Sequence, residues 1–340
     1  MKDIAEAIGV NVATVSRALS GRAGVSPDVR NRIEAQAAAM KYRPNIHARS
    51  LATNRTETIG LICDLPTEML FANPFWGCVL AGIEAEARRH DYALMFASVP
   101  VDPETGKQAL PKFLSEHRVD GLLGIRAVSE GTLRMLLGSG YDLVLIDCDT
   151  SKANVDTVLT DNHGGSRLAT EHLIKLGHRN IGFVGTNSGN VSFHQRFEGY
   201  QTAMKEHGLP VWDHEIPEAD DYGCGDSSMH LLDRRPDTTG IVCCNDDHAL
   251  AAMRMLASRG LSVPEDISVV GFDDILPSTK SFPPLTTVRV DSRQMGRLAT
   301  SRLIERLNTK ERMSPCRTVL SVELVEREST ATPRESSTER

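Results

Sequence analysis

From Glu57 onward the sequence alternates between two textures. Short apolar runs ending in turn or polar residues occur at Thr58–Cys63, Ala93–Ser98, Gly121–Ile125, Leu143–Ile146, Asn180–Gly185, Gly240–Cys244 and Ile267–Gly271. Between them lie stretches with apolar residues at helical spacing, such as Val79–His90, Gly164–Leu176, Arg196–His207 and His248–Arg259. Continuous apolar runs mark strands covered on both faces. Strands that alternate with helices require crossover connections, and therefore a parallel sheet. Seven or more strands in about 270 residues exceed what one core holds comfortably, so two doubly wound α/β lobes are expected.

The first 43 residues read differently, as three short helices. Ile4, Ala5 and Ile8 share a face, and Gly9 supplies a left-handed stop. Asn11 is placed to cap a second helix that turns Val15 and Leu19 inward. Ser26-Pro27-Asp28 combines a hydroxyl cap, a proline at the first helical position and an acid near the positive end of the dipole. Ile33, Ala37 and Met40 then recur at helical spacing, and Tyr42-Arg43-Pro44-Asn45 breaks the third helix. This is the layout of a helix-turn-helix whose second helix reads DNA. With Val15 and Leu19 inward, Val12, Ala13, Ser16 and Arg17 project outward. Arg17 suits guanine O6 and N7, Val12 and Ala13 suit thymine methyls, and Asn11, Thr14 and Ser16 suit phosphates.

Charge placement agrees. Residues 1 to 58 hold nine Lys/Arg against five Asp/Glu, about +4, whereas the rest hold 29 against 40, about −11. A basic head on an acidic body points the head at a polyanion. The seven cysteines include no CxxC pair, and Cys63, Cys148, Cys243 and Cys244 sit in strand-like runs, so buried free thiols in a reducing compartment are expected. No apolar run approaches the roughly 20 residues of a membrane span, and Met1–Glu6 carries an acid where a signal peptide would be apolar, so a cytoplasmic location is expected. His163, His172 and His178 lack ligand spacing, Cys244 and His248 have no orienting partner in view, and no phosphate-binding glycine loop occurs, so neither metal, cofactor nor enzymatic function is expected.

The run Asp3–Ser20, with Val25–Arg30, Tyr42–Asn45, Ala48–Ala52 and Ile59–Leu61, resembles the LacI/GalR family of bacterial repressors over almost the whole chain. The resemblance implies an all-α helix-turn-helix head and a two-lobed, periplasmic-binding-protein-like effector domain with parallel doubly wound sheets. It also implies a homodimer on palindromic operator DNA, controlled by a small polar effector of sugar type. Residues 1–43 form the DNA-binding domain on this reading, 44–57 the hinge helix and linker, 58–328 the effector domain, and 329–340 a disordered tail. The N-lobe takes about 58–160 and 289–319, the C-lobe about 161–288 and 320–328. The hinge segment Asn45–Thr53 is too short to hold a helix unaided and folds when two subunits meet on DNA, with Leu51, beside Ala52, wedging into the minor groove.

The resemblance also implies a ligand cleft at the carboxyl ends of the strands. Phe75 and Trp76 would stack on the effector, with Tyr222 as a second aromatic wall. Asp147, Ser192, Arg196, Asn245 and Asp273 would supply polar contacts, while Asp246 and Asp274 read as cap or turn residues. Aromatic faces beside Asp, Asn and Arg suit a sugar, and a nucleobase or a sugar acid also fits. The rival reading is a solute-binding protein without DNA function, which accounts for the body and leaves the head unexplained.

Overall fold

The computed structural model describes residues 1–19, 23–42, 55–99, 110–126, 129–148, 150, 154–185, 190–211, 231–309 and 313–334. It divides into two compact units, Met1–Glu57 and Thr58–Arg340.

In the first unit α1 (Lys2–Ile8), α2 (Val12–Leu19) and α3 (Pro27–Ala39) enclose a small core of Ile4, Ala5, Val15, Ala18, Ile33 and Ala37. Gly9 ends α1 at φ 75°, a conformation glycine adopts without penalty. Ser26 caps α3 by accepting the Val29 N–H at 3.4 Å, and Pro27 opens the helix. Met40 departs from the helical pattern. α3 stops at Ala39, Met40 falls in the following turn and is 44% exposed, and Tyr42 packs against the core instead. The hinge segment lies outside the described residues.

The second unit holds two sheets. One contains β1 (Thr58–Cys63), β2 (Ala93–Ser98), β3 (Gly121–Ile125), β4 (Asp142–Ile146), β5 (Asp156–Thr160) and β10 (Arg317–Leu320), all parallel, in the order β10-β5-β4-β3-β1-β2. The other contains β6 (Ile181–Val184), β7 (Gly240–Cys243), β8 (Ser268–Asp273) and β9 (Thr286–Arg289) in parallel, with β11 (Glu323–Val325) antiparallel to β9. β1, β3, β5 and β7 are buried along their whole length, as strands covered on both faces must be. The chain passes between the sheets after Thr160, after Arg289 and after Leu320.

Among the described residues of the body the α-helices are α4 (Thr67–Ala72), α5 (Pro74–Arg89), α6 (Lys112–Ser115), α7 (Glu130–Gly138), α8 (Asn162–Lys175), α9 (Val191–Glu206), α10 (Asp246–Ser258) and α11 (Ser292–Asn308). α4 occupies the stretch between β1 and α5. α5 begins five residues before the apolar period suggests, because Asn73 caps it and Pro74 fits its first position. On the β1 lobe α5 and α11 touch backbone to backbone. A Cβ at Gly82 would lie 2.0 Å from the Arg293 carbonyl oxygen, and one at Gly296 would lie 2.1 Å from that of Val79.

Ser329–Arg334 is packed chain, contrary to the expected disorder. The Ser329 hydroxyl donates to the Val269 carbonyl at 2.6 Å and accepts the Thr286 N–H at 2.8 Å. The His178 ring donates to the Ala331 carbonyl at 2.9 Å, and Ala331 N–H donates to Ser268 at 3.0 Å. The segment is polar because it closes the amino ends of β8 and β9 with hydrogen bonds rather than apolar contacts. Among the described residues no helix is long and apolar enough to cross a membrane.

Candidate functional site

Two surfaces carry the candidate residues. On the head, Asn11 accepts the Thr14 N–H at 2.7 Å and the Thr14 hydroxyl at 2.9 Å, which fixes the start of α2. Val15 and Ala18 are buried against α1 and α3, and Leu19 is half-buried. That packing leaves Val12, Ala13, Ser16 and Arg17 exposed together on the outer face. The Arg17 side chain lies along the helix, with Nε donating to the Ala13 carbonyl at 3.3 Å. Asn11 and Thr14 are bonded to each other, so their first task is to hold the helix end. Arg30 Nη1 donates to the Ala18 carbonyl at 2.7 Å and thereby ties α3 to the end of α2, a role with no signal in the sequence. Leu51 and Ala52 lie outside the described residues.

In the body the carboxyl ends of both sheets face one cleft. Asn73, Phe75, Trp76, Arg126 and Asp147 line it from the β1 lobe, and Asn190, Phe193, Arg196, Asn245 and Asp273 from the β6 lobe. Six of the eight expected effector residues therefore meet here. Ser192 stands beside them, its hydroxyl donating across the cleft to Asp147 Oδ1 at 2.8 Å. Tyr222 lies outside the described residues. Sequence reasoning misses Asn73, Arg126, Asn190 and Phe193. The two asparagines are legible in retrospect as caps directly before helical runs, since Asn73 accepts the Phe75 N–H and Asn190 accepts the Ser192 N–H, each at 2.9 Å.

Arg196 organises the polar side of the cleft. It is 3% exposed, its Nε donates to Asn162 Oδ1 at 2.8 Å, and its Nη1 donates to the Cys244 carbonyl at 2.6 Å. Its guanidinium stacks 3.7 Å from the centre of the Phe272 ring. Nη2 stands 3.2 Å from Asp273 Oδ1 without hydrogen-bond alignment, so this buried oxygen gains charge attraction and no directed bond. Burial pushes the Asp273 carboxyl up to about 7; Arg196 opposes the shift, while Asp147 and Asp247 add to it. Asp147 is raised by burial in the same way, against the charges of Arg196 and Arg126 and the Ser192 hydrogen bond. Asp246 is raised well above the carboxylate range by burial and by Asp273. It accepts from the Ile275 N–H and the Thr287 hydroxyl, and so acts as a structural bracket. Asp274 pairs with Arg289 and Arg327.

His248 is lowered to about 4, by burial first and then by the Arg196 charge, so it is neutral at pH 7. Its Nδ1 donates to Asn245 Oδ1 at 2.6 Å, because that oxygen already accepts the His248 N–H at 2.9 Å. The backbone at the strand ends is strained: Arg126, Asp147, Asp273 and Asp274 all have positive φ, at 45°, 53°, 113° and 57°. Such non-glycine conformations persist where surrounding structure holds side chains for a task.

Phe75 and Trp76 are packed edge to face, with centroids 5.0 Å apart and planes at 86°, and are 6% and 4% exposed. They form a wall continuous with the lobe core. The pocket lined by these ten described residues holds about 40 Å³. No group of three or more His, Cys, Asp or Glu among the described residues is arranged to hold a metal ion.

Comparison with known proteins bears on both surfaces. Residues 1–45 match the family model described as bacterial regulatory proteins, lacI family, and residues 170–330 match that of the periplasmic binding protein-like domain. The HTH-type transcriptional regulator RegA of Clostridium saccharobutylicum is 34% identical over 335 residues, covering 97% of this chain and 98% of that one. The solved complex of the transcriptional regulator CelR with cellobiose superposes with a TM-score of 0.74 at 30% identity, over 96% of this chain and 98% of that one. The lac repressor dimer bound to operator and the anti-inducer ONPF superposes with a TM-score of 0.81 at 26% identity, over 97% and 98% of the two chains.

Proposed function

The chain belongs to the LacI family of bacterial regulatory proteins, and we propose that it is a sequence-specific transcription regulator, a repressor, whose hold on operator DNA is set by a sugar or sugar derivative bound between its lobes. The observation that carries this reading is the union, in one chain, of an exposed Val12-Ala13-Ser16-Arg17 face on a capped helix with a buried, arginine-centred cleft. A solute-binding protein needs the cleft and has no use for the head.

On this reading a twofold dimer sets two copies of α2 in successive major grooves of a palindrome, about one helical turn apart. Arg17 reads guanine, Val12 and Ala13 meet thymine methyls, and Ser16 steadies the helix against phosphate. Leu51 wedges into the minor groove where the paired hinges meet, next to Ala52. In the body Arg196, Asp273, Asp147, Ser192 and Asn245 engage hydroxyls, while Phe75, Trp76 and Tyr222 present apolar faces. The effector acts only through its different affinity for two arrangements of the dimer. The protein works by binding, in the cytoplasm where its DNA is, and no reaction is assigned to the cleft.

The test is a gel shift with the region upstream of the protein's own gene, without and with a panel of mono- and disaccharides. Retarded DNA whose fraction changes with one saccharide is the expected result. No retardation under any condition would overturn the DNA reading. Retardation indifferent to every sugar would overturn the effector class.

A further inference from the structure

The charges around the cleft do not cancel. Asp147 and Asp273 line it, and Asp246 and Asp247 stand close enough to interact with Asp273. Against these four carboxylates the described residues set Arg126 and Arg196, with Arg254 acting on Asp247. Asp274 is answered separately by Arg289 and Arg327, and His248 is neutral at pH 7. All four carboxyls lie above the ordinary carboxylate range, with burial the first cause in each. Asp147 and Asp247 then push Asp273 further the same way, and Asp273 pushes Asp246. Acids that still repel one another mark a site short of positive charge.

The unmet hydrogen bonds point the same way. Asp273 Oδ1, on a side chain 10% exposed, is buried without a hydrogen-bond partner. So is His248 Nε2, on the fully buried imidazole bonded to Asn245. Both atoms are acceptors, since the imidazole proton is on Nδ1, so what is missing is a donor. The aromatic lining of Phe75, Trp76 and Phe193 agrees, because ring faces attract cations and repel anions. In sequence, residues 212–230, which include Tyr222, hold six acids and neither Lys nor Arg. The body as a whole holds 40 acids against 29 Lys/Arg, a field that draws cations toward it.

We propose that the cleft takes a cationic sugar, an amino sugar whose ammonium group sits against Asp273 Oδ1, where no hydrogen bond from the described residues reaches. This names the ligand class within the effector reading above and rests on that reading. The ammonium brings three donors and the positive charge that the four acids lack. Asp273 then lies between two cations, the ligand on one side and Arg196 Nη2, 3.2 Å from the same oxygen, on the other. Ring hydroxyls are left for Asp147 and Asn245. A sugar acid would instead add a fifth negative charge to the group.

The test compares matched sugars that keep the ring and change its charge. Glucose, glucosamine and glucuronate form one set, and the galactose and mannose series form two more. Each is titrated calorimetrically into the full-length protein at pH 7. In at least one set the amine should bind at least about tenfold more tightly than the neutral hexose, the worth of one charge-assisted bond, and the uronate should bind most weakly. Asp273→Asn should bring the amine down to the level of the neutral sugar. Glu206→Gln removes the same charge at the far end of α9, about 15 Å from Arg196 along the helix, and should keep the parent's preference. Thermal melts check that both variants are folded, and the ranking in the parent needs no variant. A neutral hexose or uronate that binds as tightly as its amine, or more so, would overturn the cationic class and leave the effector reading standing. No binding by any of the nine sugars would overturn the proposal and count against the sugar reading with it. An amine preference that survives in folded D273N, or that E206Q also loses, would remove Asp273 as its seat.

Discussion

Asp273→Asn should flatten the dependence of stability on pH. The Asp273 carboxyl is pushed up to about 7 in the folded protein, against 3.8 for the free side chain. At pH 5 the folded protein therefore keeps a proton there that the unfolded chain has released, and low pH favours the fold. As pH rises through 7 the folded carboxyl ionises beside Asp147 and Asp247, and that advantage is lost. Integrating the difference in bound protons from pH 5 to pH 8 gives about 3 kcal/mol of stability lost through this one group. Asp147 and Asp246 are raised in the same direction and steepen the fall. The asparagine variant keeps the shape, removes the proton and relieves its neighbours of a charge. Urea unfolding followed by circular dichroism at pH 5, 6, 7 and 8 measures the slope for both proteins. The parent should lose roughly 2–3 kcal/mol more than the variant across that range. Parallel profiles would show that Asp273 ionises normally in the fold, and the charge balance drawn for the cleft would be wrong.

Three further outcomes follow from the packing and the proposed contacts. Arg196→Ala leaves Asn162 and the Cys244 carbonyl without their buried donor and Asp273 without its neighbouring positive charge, so the body should lose about 3–5 kcal/mol in urea unfolding and operator binding should stop responding to sugar. Leu51→Ser should weaken operator binding by about tenfold or more in fluorescence anisotropy, with sugar affinity unchanged; equal operator affinity would remove the wedge assignment. Gly296→Ala forces a methyl to within 2.1 Å of the Val79 carbonyl oxygen, so α5 and α11 must separate, and the melting temperature should fall by several degrees at least.

Unbroken apolar runs are legible as strands: β1 and β3, buried on both faces, start and stop where their composition changes, and so does β2, although it lies at the sheet edge with no residue buried, contrary to the double cover its apolar run suggests. β5 is not legible because it opens on Asp156, a carboxylate 1% exposed that is held by Arg302, Arg306 and the Cys316 N–H. A charge inside a strand reads as a loop until its distant partners are in place. α11 escapes notice because its inner face is built from Gly296, Ala299 and Thr300 as much as from Met295, Leu303 and Ile304. The cleft divides in the same way. Arg196 and the strand-end acids follow from resemblance to a family, but the oxygens that hold Arg196, on Asn162 and Cys244, stand 34 and 48 positions away in sequence. Arg126 carries no local signal, since it is one charged residue after one strand among several.

The three passages between the sheets bear on how the protein is made. The β1 sheet receives its outermost strand β10 and its covering helix α11 only after the β6 sheet has been threaded, and the β6 sheet receives β11 and the packed residues Ser329–Arg334 later still. A growing chain therefore finishes the β1 lobe only when Leu320 has been translated and the β6 lobe only near Arg334, whereas α1 to α3 need nothing beyond Tyr42 to close their own core. On the ribosome the head folds first, while apolar strands of the body wait with uncovered faces, which is the interval in which such a protein depends most on chaperones.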